Sequence, residues 1–135
     1  MLPSLLAILL FLSSGFSHAH SLRPAVATIQ FEANGTISIS IRTNAEALLA
    51  RIGREHEDTG ESPNAAEYNR LRALSPMLFE REFGHFGEEF AQNLQLKVDG
   101  IPINLRYSKI DVLAEADPSL DRKSEIHLRG VLPSD

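Results

Sequence analysis

The sequence has no cysteine among its 135 residues. That excludes disulfides, thiol nucleophiles, zinc–thiolate centres and dithiol redox chemistry, so stability must come from a packed core. Hydrolytic and nucleotide-binding signatures are missing too. There is no Gly-x-Ser-x-Gly elbow, no His-Glu-x-x-His helix, no glycine-rich loop leading into Lys-Ser or Lys-Thr, and no dinucleotide fingerprint. Nothing therefore points to an enzyme. Basic residues are outnumbered, 13 Lys and Arg against 18 Asp and Glu for a net charge of −5, so no electrostatic footprint for nucleic acid exists. Long apolar runs are also scarce: the compact one, Leu5 to Leu12, is far short of the ~20 residues that span a bilayer.

That run has a different meaning. Residues 1–19 contain no charged side chain, and the apolar stretch is followed by Ser13-Ser14-Gly15, the make-up of a cleavable secretory signal peptide. Small residues stand at −3 and −1 for two cuts, Ser17-His18-Ala19 before His20 and Gly15-Phe16-Ser17 before His18. Either cut exposes a histidine. Residues 20–135 are then expected to form one exported domain, periplasmic or extracellular, with no membrane span in the mature chain.

Within this domain Ala27, Ile29 and Phe31 alternate with polar residues, as do Ile37, Ile39 and Ile41, and Asn34-Gly35 lies between. This predicts a β-hairpin with a two-residue positive-φ turn. Ala45, Leu48, Leu49 and Ile52 after Thr43-Asn44 have the spacing of a helix that Gly53 ends. Ser62-Pro63 predicts the start of a second helix, carrying Glu67, Tyr68, Leu71 and Leu74, and Ser75-Pro76 the start of a third. On the third, Phe79, Phe83, Phe86 and Phe90 line one side, and they are expected to cap an open sheet face. Strand periodicity returns at Leu94–Val98, at Ile101–Leu105 across Asp99-Gly100, around Ile110 and Val112, and around Ile126 and Leu128. The expected fold is mainly β with an α insertion: an antiparallel, immunoglobulin-like β-sandwich of about six strands, with two or three helices inserted after the first hairpin. A sandwich of this size calls for one more strand after Leu132-Pro133-Ser134-Asp135, so the chain is expected to be part of a longer protein.

Two places could ligate metal. A mature N-terminal His20 offers its α-amine and imidazole to one ion, a chelate suited to copper(II) or nickel(II). Retention of His18 places a histidine at the third position and strengthens it. In the polar segment Glu55-His56-Glu57-Asp58, His56 and Asp58 are the candidate ligands for a divalent cation. His85 and His127 lack partners at ligand spacing and are read as surface residues, with His127 pointing away from the core.

His20-Ser21-Leu22-Arg23-Pro24 after a leader, the hairpin, His56 with Asp58-Thr59, Ser62-Pro63-Asn64, and Tyr68 with Leu71-Arg72-Ala73-Leu74 together resemble the extracytoplasmic N-terminal region of HupE/UreJ-type bacterial membrane proteins. The resemblance runs from about residue 19 onward. It implies an association with nickel or cobalt uptake. Taken with the candidate ligands, the expectation is a noncatalytic accessory domain beside a metal-transporting membrane partner, with His20, His56 and Asp58 as the residues that could present metal. The membrane portion of that family has no counterpart in this sequence, so transport by this chain alone is not expected. The alternatives are a structural or protein-interaction domain with no metal role, and a copper-binding N-terminal-histidine protein.

Overall fold

The computed structural model describes residues 24–53, 55–56, 58–117 and 120–133. The expected signal peptide and His20 lie outside them. Two strands come first, β1 (Val26–Phe31) and β2 (Thr36–Thr43), followed by α1 (Ala45–Leu49), a 3-10 turn (Thr59–Glu61), α2 (Ala65–Arg72) and α3 (Pro76–Asn93). Four strands complete the described chain: β3 (Leu96–Val98), β4 (Ile101–Ile103), β5 (Arg106–Val112) and β6 (Ser124–Val131). The two-strand, helical, four-strand order matches the expectation.

Pairing is antiparallel throughout. One sheet has the order β1-β2-β6-β5, and β3 with β4 forms a separate hairpin. Because alternate residues share a face, Ile37 and Ile39 of β2, Ile126 and Leu128 of β6, and Ile110 and Val112 of β5 form one apolar surface, buried with Phe79 and Phe83 of α3. Phe79 and Phe83 are 0% exposed, Phe86 and Phe90 are partly buried, and Phe83 contacts Phe79, Phe86, Phe90 and Tyr107. The phenylalanine stripe does cap the sheet face.

Among the described residues the immunoglobulin-like sandwich is not seen as such. A helix bearing four aromatic rings occupies the layer where a second broad sheet was expected, and the only other sheet among the described residues is the β3–β4 hairpin. The six strands, their antiparallel pairing and the helical insertion stand as expected.

Local detail departs from the expectation at three points. Asn34 does not take positive φ. Instead Gly35 N–H donates to Glu32 O at 3.0 Å, and Gly35 alone has φ +83°, a type I turn closed by a glycine bulge. Only Asp99 and Gly100, at φ 51° and 81°, make the two-residue turn. Gly53 does not end α1: Arg51 N–H donates to Leu48 O and Ile52 N–H to Ala47 O, with Arg51 at φ 57°. This is a Schellman closure with arginine where glycine is usual. Ser62-Pro63 does not begin α2 directly; Ser62 Oγ accepts from Asn64 N–H and Ser62 O from Ala65 N–H, so the helix starts two residues later, at Ala65.

Candidate functional site

The expected metal loop follows α1. Asn44 caps that helix by accepting from Ala47 N–H at 3.0 Å, and the chain passes through Gly53 to the 3-10 turn. Asp58 starts that turn, its Oδ1 accepting from Gly60 N–H at 2.8 Å. One of the candidate ligand oxygens is therefore engaged in shaping the backbone. His56 Nε2 is 3.6 Å from Glu55 Oε1, a loose contact between sequence neighbours. Among the described residues no three His, Asp or Glu side chains converge as a metal site; Glu57, like His20, lies outside them. A cleft of about 690 Å³ lies elsewhere, between the end of α3 and the β3–β4 hairpin, with Glu88, Lys97 and Arg106 on its walls, and neither His56 nor Asp58 lines it.

A polar cluster lies on the outer face of the large sheet, where His127 points away from the core as expected. Register places Ser40 of β2 and Lys109 of β5 directly beside it. Ser40 Oγ is 3.2 Å from His127 Nδ1. On the ring's other side Nε2 is 2.8 Å from Asp111 Oδ2, yet the N–H is not aligned for a hydrogen bond. The contact is therefore a close approach rather than a directed bond. Lys109 Nζ holds both Asp111 oxygens at 2.8 Å, which keeps that carboxyl below the usual carboxylate range.

Serine, histidine and aspartate in contact invite comparison with a nucleophilic triad. The comparison fails on charge. In a triad the carboxylate is free to stabilise the imidazolium that forms when serine loses its proton. Here Lys109 already neutralises the carboxylate, and the group sits on an open sheet face with Arg42, Glu125 and Arg129 around it. It works as a polar ladder across β2, β6 and β5.

A second cluster is wholly internal. Arg122, in the segment before β6, donates from Nε to Glu46 Oε1 at 2.5 Å, from Nη1 to Leu74 O at 2.6 Å and from Nη2 to Leu71 O at 3.3 Å. Its guanidinium also lies 5.0 Å from the centre of the Phe79 ring. The bonds to Leu71 and Leu74 tie Arg122 to the end of α2: Leu71 O accepts from it alongside Leu74 N–H at 3.1 Å, and the Leu74 carbonyl just past the helix gains a donor. Nearby, buried Tyr68 accepts from Asn44 Nδ2 at 3.2 Å and donates to Asp121 Oδ1 at 3.4 Å, and burial raises its pKa. These groups join α1, α2 and the β5–β6 connection. No local pattern in the sequence marks them, because Glu46 and Arg122 are 76 positions apart.

The remaining feature is β1. It is the outer strand of the sheet, every residue of it is exposed, and Val-Ala-Thr-Ile-Gln-Phe carries no charge. Its inner side continues the apolar sheet surface, but Ile29 is 44% and Phe31 58% exposed. The opposite edge differs: β5 contains Arg106, Lys109 and Asp111 and is broken by a register shift between Tyr107 and Lys109. Charges and bulges are how sheets block unwanted edge pairing. Among the described residues, one edge of this sheet is guarded and the other is bare.

The chain matches no protein-family model, no curated protein and no solved structure.

Proposed function

We propose that this chain is a noncatalytic, exported accessory domain that acts by docking, in the manner implied for the N-terminal region of HupE/UreJ-type proteins beside a metal-transporting membrane protein. The observation that carries this reading is the bare β1 edge, an uncharged, regular strand with apolar side chains left uncovered. Such an edge offers main-chain hydrogen bonds to an added strand and an apolar strip to fix it. The chemistry-bearing clusters support the same reading, because Arg122 with Glu46 and Asp111 with Lys109 are occupied with one another. Metal presentation, as nickel, cobalt or copper, rests in this reading on His20 with His56 and Asp58 as auxiliary ligands.

Photo-crosslinking tests the docking role. A photoreactive residue replacing Gln30 on β1 is compared in the producing cell with one replacing Glu89, exposed on α3. Adducts specific to position 30 are expected, with the captured species identified by mass spectrometry. Equal adducts from both positions, or none, would overturn the reading.

A further inference from the structure

The backbone of β1 shows what kind of strand it can accept. Glu32 N–H donates to Thr36 O at 2.9 Å, which makes Glu32 and Thr36 a hydrogen-bonded pair. Antiparallel pairs alternate between bonded and non-bonded, so the even-numbered residues of β1 bond to β2 and Ala27, Ile29 and Phe31 direct their N–H and C=O groups to the free edge. The same three residues place their side chains on the apolar inner face, opposite Ile41, Ile39 and Ile37.

This pattern is its own complement. When β1 meets a second β1 antiparallel about a two-fold axis at Ile29, Ile29 faces Ile29 of the other copy and Ala27 faces Phe31. All three outward N–H groups then find a carbonyl, and all three outward carbonyls an N–H. On the outer face Thr28 meets Gln30, and Glu32 meets Val26 rather than another carboxylate. No like charges oppose one another, although each chain carries a net charge of −5.

From this we infer that β1 is an interface for a second copy of the chain, which joins two four-stranded sheets into one continuous eight-stranded sheet. The inference rests on β1 being a docking edge and names its occupant. A contact centred on one strand is small beside the ~800 Å² per partner of a standard stable interface, so the dimer is weak and concentration-dependent.

Sedimentation velocity of the purified protein from roughly 10 μM to 1 mM tests it, spanning affinities from about −7 to −4 kcal/mol. A monomer–dimer equilibrium is expected. Two double variants then examine the register, at positions that are exposed and opposite serines of β2. Thr28→Lys with Gln30→Lys sets like charges across the axis twice and should weaken the dimer by roughly tenfold. Thr28→Lys with Gln30→Glu sets opposite charges there and should retain or strengthen it. Amide exchange at Ala27, Ile29 and Phe31 should slow as concentration rises, and exchange at Thr28 and Gln30 should not. A protein that stays monomeric at every concentration, or two variants that dimerise equally, would overturn the inference. If position 30 nevertheless captures another protein in cells, the docking role stands and only self-association falls; with neither dimer nor adduct, both fall.

Discussion

Gly87 of α3 lies so close to Tyr107 of β5 that a Cβ built on it would stand 2.6 Å from two carbons of the ring. The helix meets the sheet at this point, and glycine is what permits the approach. Gly84, one turn earlier on the same helix, has nothing within 4 Å of the equivalent position. The two glycines should respond oppositely to alanine. Gly87→Ala forces the ring or helix to move and should destabilise by about 1–3 kcal/mol, whereas Gly84→Ala should stabilise by up to about 1 kcal/mol through helix propensity. Urea unfolding of the two variants checks this, and equal effects would show that α3 does not rest on Tyr107.

Arg51 holds the left-handed conformation that closes α1, where a Cβ costs on the order of 1 kcal/mol. Its ion pair with Glu89 is 3.8 Å long and exposed on both sides, so it returns little. Arg51→Gly should therefore raise stability by about 0.5–1 kcal/mol. A lower midpoint in thermal or urea unfolding would mean that the Glu89 contact outweighs the backbone term.

Arg122 and Glu46 are buried together, with side chains 2% and 0% exposed, and Glu46 Oε2 has no further partner. Removing either member leaves the other as an uncompensated internal charge, so Arg122→Met and Glu46→Leu should each cost about 3–5 kcal/mol. The double variant should be more stable than the sum of the single losses implies. Strict additivity in the unfolding free energies would show that the two groups do not act as a pair.

How much of this could be read beforehand follows the range of the interactions. Asp99-Gly100 and the phenylalanine stripe are local patterns, and both form as expected. Which strands pair is a long-range matter: β2 lies beside β6 through a register joining Ser40 to His127, and no local period marks that. The polar ladder at His127 and the Arg122–Glu46 clamp were invisible for this reason. The sandwich expectation reaches the same limit: strand count is legible in alternation, but the layer that covers a sheet is decided by packing. The helix ends moved because Arg51 took a conformation for which Gly53 looked the natural residue.

Lys109 holds Asp111 in its charged form, with desolvation opposing and His127 adding a smaller effect. A carboxyl whose folded pKa is depressed contributes stability above its unfolded pKa, near 3.9, and loses that contribution as pH falls through the lower folded value. The effect therefore appears only in acid, below about pH 4. Lys109→Met should move the Asp111 titration upward, as followed by carboxyl-carbon NMR. It should also flatten the acid limb of stability slightly, since the pair is exposed. An unmoved Asp111 titration would assign its low pKa to His127 instead.

Metal binding divides along the same line between termini and folded groups. A chain processed to begin at His20 carries an amine and an imidazole that can close on one ion without help from the fold. The folded loop offers less, since Asp58 Oδ1 is bound to Gly60 N–H and His56 faces Glu55. Calorimetric titration with Ni(II), Co(II) and Cu(II) should therefore show binding that disappears when one residue is added before the terminal histidine, and His56→Ala or Asp58→Ala should weaken it only modestly. Binding weaker than about 10 μM, worth only ~7 kcal/mol, in the correctly processed protein would remove direct metal handling from its function. Loss of tight binding in His56→Ala with the terminus intact would instead place the ion at the loop, and would require the N-terminal segment to reach it.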